Sequence, residues 1–259
     1  MRLAPSPASR DMARPAASVR PFGRAADLDV AFEGVDRPVL VTALLERCAD
    51  GADAGSWWGE PCSARIVTLV RLAAASDGVD TLAARLRCPL PGCGTDFEIA
   101  LPVGAIDLPS SGDRIDVSLP DGRVAVVRQP TGDDQRRWLQ NHYLSPADAV
   151  RTIVQSLIVS GDVEPADGPS LTAIGAALAE LDPLVDFTVS CVCPSCDSPS
   201  DIAVDLEGLA LARLAAVRRT LLADVHALAS AYGWTESEVL AVPPERRLRY
   251  RELIAGAMA

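Results

Sequence analysis

The sequence predicts an α+β protein built on two cysteine-bearing strand–turn–strand units, with an inserted hairpin-plus-helices subdomain between them and a helical region at the C-terminus. Three observations carry this. "DTLAARLRCPLPGCGTDFEIALPV" reads as strand, turn, strand, and after "CPSC" (Cys193–Cys196) Ile202, Val204 and Leu206 alternate, the period-two pattern of a half-buried strand. Asp121-Gly122 stands between two alternating runs, a strong short-range hairpin signal. Leu214, Val217, Leu221, Val225, Leu228 and Tyr232 recur at spacings of three and four, one apolar stripe of a long helix.

Composition narrows the class. The 259 residues suffice for a sizeable core, and no apolar run approaches the ~20 residues that cross a bilayer. The expected setting is soluble and cytoplasmic, with no membrane contact. All 24 basic residues are arginine, and the net charge is −11. Nucleic-acid binding rests on neutralising phosphates, which an acidic chain supplies poorly. The Arg pairs at 136–137, 218–219 and 246–247 fall on predicted helices and read as solvated faces.

Along the chain, residues 1–26 are Arg-, Ala- and Pro-rich like an organelle transit peptide, lack the apolar centre of a secretory signal, and read as a disordered tail. Residues 27–80 form an N-terminal helical region. Its first helix is Pro38–Cys48, with proline at the first position where its missing N–H does no harm. Trp57 and Trp58 pack the following loop, and "SARIVTLVRLAAA" makes a second helix. Residues 81–206 form a zinc-ribbon-like unit interrupted by an insert over about 105–183. In the insert, Ile115, Val117 and Leu119 alternate before the turn, and Val124 and Val126 after it. Helices are expected near 132–142, 146–160 and 170–182, the second capped by Ser145 with Pro146 behind it. Residues 207–259 are helical. Gly233 ends the long helix, Thr235 and Glu238 form a capping box, and Pro243 separates two short helices.

The chemistry lies in the seven cysteines. Each strand–turn–strand unit has Cys-Pro, a turn ending in Cys, and then Gly94 or Asp197, residues that tolerate left-handed backbone. Two such turns face to face supply the four tetrahedral thiolates that zinc prefers. The expected ligands are Cys88, Cys93, Cys193 and Cys196, with Cys191 as a possible substitute two residues along the same strand. A thioredoxin-like centre would open a helix; here Pro199, Ile202 and Val204 lead into a strand. Structural disulfides suit oxidising compartments. Cys48 and Cys62 read as buried sulfur. His142 and His226 sit on separate helical segments, and no phosphate loop, dinucleotide fingerprint or nucleophile elbow is present. A site closed by four cysteines has no open position for water, so the zinc is expected to be structural and the protein non-enzymatic, without a small-molecule substrate.

The stretch "LLADVHALASAYGWTESEVLAVPPERRLRYRELI" resembles the end of small baseplate-associated proteins of contractile phage tails and phage-tail-like injection systems, the family of baseplate hub subunits and hub-assembly proteins. The likeness runs from about Asp80 and rests on "HALASAYGW", "TESEVL" and "RRLRYRELI"; such relatives carry two Cys pairs flanking a segment like "VAVVRQPTGDD". It implies zinc on Cys88, Cys93, Cys193 and Cys196, packing of the terminal helices by Tyr232, Trp234 and Tyr250, and other baseplate or tail proteins as partners. The alternative is a zinc-ribbon adaptor or regulator unrelated to tails. The two short C-terminal helices offer Trp234, Leu240, Leu248, Tyr250 and Leu253 to a surface, either the long helix before them or a partner.

Overall fold

The structure, a computed structural model, describes residues 17–50, 55–107, 112–161 and 168–257. In chain order its elements are α1 (Ala25–Leu28), α2 (Arg37–Cys48), α3 (Cys62–Asp77), β1 (Thr81–Arg87), β2 (Asp96–Pro102), β3 (Arg114–Ser118), β4 (Val124–Arg128), α4 (Gly132–Gln140), α5 (Pro146–Leu157), β5 (Ile158–Ser160), α6 (Gly168–Leu181), β6 (Thr188–Val192), β7 (Pro199–Ala203), α7 (Leu206–Tyr232), α8 (Glu236–Ala241) and α9 (Pro244–Ala257). Mixed helix and small antiparallel sheets make it α+β, as the sequence predicts. No helix among the described residues is long and apolar enough to cross a membrane.

Helix α3 explains the main body. It is apolar nearly all round, and a helix of that kind must be covered on every side. Ile66, Val67, Leu69, Val70, Leu72 and Ala73 are all buried. Helix α7 lies along α3, contributing Ala210, Leu214 and Leu221, while α2 adds Val41, Leu44 and Leu45. Strands β1 and β2 close the same core with Leu82, Ala84, Leu86 and Leu101.

The tail expected over residues 1–26 needs correction in the part that is described. Residues 1–16 lie outside the described residues; residues 17–26 pack on the body. Val19 bridges Ala49, and Phe22 is 4% exposed, edge-on to Phe32. Arg20 makes a bidentate pair with the buried Asp27 carboxylate, at 2.7 and 2.8 Å. Two aromatic rings and one buried ion pair hold a segment whose composition alone reads as loose.

A second, smaller core lies between the two cysteine hairpins. Sheet β3-β4-β5 packs against α5 and α6 through Val117, Leu119, Ala125, Val127, Val154 and Ile174. Two expectations change here. The inward residues of β4 are Ala125 and Val127, because pairing sets Val117 opposite Ala125 and Ile115 opposite Val127, and paired residues share a face. "VAVV" is apolar in both parities, so alternation alone does not choose. The helix expected over 146–160 stops at Leu157, and Ile158–Ser160 becomes strand β5 on β4, as its β-branched Ile158 and Val159 favour.

The C-terminal helices fold back on α7. Gly233 terminates α7 in the left-handed conformation, φ 69°, that glycine adopts without strain. Thr235 and Glu238 then form the expected capping box. Arg247 and Arg251 both reach the buried Asp224 of α7, at 3.1 and 3.0 Å. Tyr232, Trp234 and Tyr250 form one aromatic cluster, ring centroids 5.1 to 5.8 Å apart. The long helix is therefore the surface these helices use, and Leu248 and Leu253 stay outside the contact at 57% and 64% exposed.

Candidate metal centre

Two antiparallel hairpins aim the cysteines. β1 runs into Cys88 and β2 leaves two residues beyond Gly94; β6 runs into Cys193 and β7 leaves after Ser198. Each turn is closed by the backbone of its first cysteine: Cys88 N–H donates to Thr95 O at 2.9 Å, and Cys193 N–H to Ser198 O at 3.0 Å. The first loop is two residues longer, yet both end alike. Gly94 has φ 58° and Asp197 φ 54°, and Asp197 is alone among the described non-glycine residues in having positive φ. A short polar side chain is one of the few that tolerates it.

The hairpins share no backbone pairing and form separate two-stranded sheets. What joins their tips is sulfur. The Sγ atoms of Cys88, Cys93, Cys193 and Cys196 all lie within 4.8 Å of one another. Across the hairpins, Cys88 to Cys196 and Cys93 to Cys193 are each 3.8 Å. A disulfide would need about 2.05 Å. A tetrahedron of thiolates on a ~2.3 Å metal–sulfur bond has edges of about 3.8 Å. The arrangement can hold one metal ion on four sulfurs.

Backbone N–H groups face the sulfurs. Each cysteine faces the N–H two residues on: Leu90 for Cys88, Thr95 for Cys93, Ser195 for Cys193 (3.5 Å) and Ser198 for Cys196. Such N–H groups stabilise thiolate, as second-layer donors do at metal centres. The hydroxyl and backbone N–H of Thr95 pull Cys93 down to about 6. At Cys196 the Ser198 N–H works the same way, but desolvation and the neighbouring sulfurs outweigh it and push the thiol up to about 12. Cys88 also rises: the Leu90 N–H is outweighed by desolvation and by Cys193 and Cys93. Four sulfurs this close do not all carry charge unless a cation neutralises them.

The structure thus brings together all four sequence-predicted ligands and leaves Cys191 outside their cluster. Cys191 lies on β6 and packs half-buried against the main core. Cys48 and Cys62 are buried, and burial pushes them up to about 11 and about 12. His142 and His226 are exposed, on opposite sides of the chain order, and join no cluster.

Several buried charges escaped the sequence reading, among them Arg65 and Asp182. Arg65 on α3 is fully buried, its guanidinium held by Thr42 Oγ1 (3.0 Å) and by the carbonyls of Trp57 (2.6 Å) and Pro38 (3.0 Å). Gly132 makes room for it: a Cβ there would stand 2.4 Å from the guanidinium. The second is Asp182, 2% exposed just after the end of α6. Ser63 and the Leu184 N–H face its carboxylate without closing to full hydrogen bonds, and burial pushes it up to about 6. The signal that could have found Arg65 is its place in a helix apolar on nearly all faces, where most positions must be covered.

Comparison with protein-family models, with curated proteins and with solved structures finds no match to this chain.

Proposed function

We propose that this chain is a non-enzymatic structural protein whose Cys88, Cys93, Cys193 and Cys196 hold a structural zinc ion in a zinc-ribbon-like pair of knuckles, and that it serves as a baseplate component or assembly factor of a contractile phage-tail-like particle. The observation that carries the first part is the cluster of four sulfurs with 3.8 Å cross-hairpin edges, each facing a backbone N–H. An all-sulfur tetrahedral set suits zinc, or iron in a sulfur site. When bound, the ion supplies positive charge and a cross-link and leaves no coordination position for water. The chain's own residues do the rest. The N–H groups stabilise the thiolates, and Gly94 and Asp197 turn each strand back on itself. The second part is supported by the C-terminal resemblance and by the aromatic packing of Tyr232, Trp234 and Tyr250, which that resemblance implies.

Elemental analysis of the purified chain tests the metal: one zinc per chain is expected, and four free thiols at these positions with no metal sinks the reading. Iron in its place would show as a coloured protein. Assembly is tested in the producing cell with Leu248→Glu combined with Leu253→Glu, both on the outer side of α9. The variant should keep its zinc and its thermal unfolding yet yield few contractile particles by electron microscopy. Normal particle numbers from this variant and from a gene deletion would leave the zinc-ribbon adaptor or regulator reading in its place.

A further inference from the structure

The four ligands are not equally protected. Cys88 and Cys193 are buried, Cys93 is half-buried, and Cys196 is exposed. An oxidant arriving from water therefore meets one sulfur first. That sulfur sits 3.8 Å from Cys88 Sγ, on a turn 108 residues earlier in the chain. We infer that the centre is opened by peroxide at Cys196, and that oxidation joins Cys196 to Cys88 across the two hairpins, an inference that rests on the metal reading above.

The chemistry balances with hydrogen peroxide as the oxidant. The Cys196 thiolate attacks one peroxide oxygen and breaks the O–O bond, becoming a sulfenic acid and releasing hydroxide. The Cys88 thiolate then attacks the Cys196 sulfur, the S–S bond forms, and a second hydroxide leaves. Two thiolates have lost two electrons and peroxide has gained them; both hydroxides end as water on taking up protons. Only Cys93 and Cys193 then remain as thiolate ligands, too few to retain the metal.

Geometry selects Cys88 over Cys193 as the second thiol. Pairing Cys196 with Cys193 would close a ring inside one tight turn, whose shape is set by Cys193 N–H to Ser198 O (3.0 Å), Asp197 N–H to Cys193 O (2.9 Å) and the left-handed Asp197. Pairing it with Cys88 requires two turns to close from 3.8 Å to about 2.05 Å. The hairpins share no backbone hydrogen bonds, so that approach breaks none between them. The metal cross-link is exchanged for a covalent one between the same two hairpins.

The test uses the full, metal-loaded chain, titrated with hydrogen peroxide in the presence of a chromophoric zinc chelator and mapped by mass spectrometry without reduction. One zinc released per disulfide is expected, with a Cys88–Cys196 linked peptide as the first product, and dithiothreitol plus zinc should restore the centre. A Cys193–Cys196 peptide as first product, or sulfinic acid at Cys196 with zinc retained, overturns the proposal. Because Cys196→Ser also removes one of the four sulfurs, Cys191→Ser is the companion variant. It should release zinc at the wild-type rate, and a several-fold slower release means that Cys191 and not Cys196 is the entry point. A chain that carries no metal before oxidant is added fails the metal reading instead, so the two failures are distinct.

Discussion

The two hairpins supply two cysteines each to the sulfur cluster, but the body holds them differently. Strands β1 and β2 are seven residues each and place Leu82, Ala84, Leu86 and Leu101 in the main core. Strands β6 and β7 are five residues each, and Val189, Cys191 and Ile202 reach the same core only half-buried. An isolated two-stranded hairpin is marginal in water. The first hairpin has apolar burial to stabilise it, and the second would depend far more on an ion held by its two cysteines. A symmetric sulfur cluster thus sits on an asymmetric foundation, and an ion held there would matter most to the hairpin with less core.

The strongest way to break this comparison is to remove the ion. Structural zinc contributes on the order of 10 kcal/mol or more to small metal-stapled folds. Cys193→Ser should abolish zinc binding and unfold or aggregate the protein; retained zinc would mean that Cys191 has taken over as ligand. In the wild type, chelation should release amide protection in β6–β7 at least tenfold more than in β1–β2, read by hydrogen exchange. Equal loss in both hairpins would refute the asymmetry.

Core truncations sharpen it next. Leu82→Ala should cost about 2–5 kcal/mol by denaturant unfolding, the usual range for a buried leucine. Ile202→Ala, half-buried, should cost about 1 kcal/mol. Similar losses would show that the second hairpin is anchored as firmly as the first.

Asp182, between α6 and the second hairpin, predicts a pH effect. Its folded value is about 6 against an ordinary 3.8, so the folded state favours the protonated acid. Its contribution is fully favourable below about 3.8 and is lost as pH rises through 6. Asp182→Asn should therefore gain on wild type by on the order of 1–3 kcal/mol more at pH 8 than at pH 5. A constant difference across that window would dismiss the effect. The smallest change expected is Cys191→Ser, under about 1 kcal/mol with full zinc content, because the residue lies outside the sulfur cluster.

The site was more legible than the body that carries it. Cys-Pro, a turn and a left-handed-tolerant residue fix a ligand pair locally, so Gly94 and Asp197 could be read without knowing what surrounds them. The Asp121-Gly122 hairpin and the Thr235–Glu238 capping box were legible for the same reason. Illegible features all depend on distant partners. Arg65 looks solvent-facing until Pro38, Thr42 and Trp57 close over it. Phe22 looks like part of a loose tail until Phe32 meets it. β5 looks like the end of a helix until β4 offers it an edge.

The separation of the cysteine turns also sets a timetable. Cys93 and Cys193 are 100 residues apart, and a ribosome adds about 5–20 residues per second, so the first turn waits roughly 5–20 s for the second. During that interval the first hairpin already has α2 and α3 to fold against, while its two thiols hold half a site. The insert, with a core of its own, can finish folding inside a loop that is still open at one end. Ribosome-bound chains halted before residue 193 should accordingly carry no tightly held zinc, and those halted well past residue 232 should carry it. On the proposed zinc reading, metal capture thus comes late in this chain's synthesis, after the first hairpin and the insert have been made.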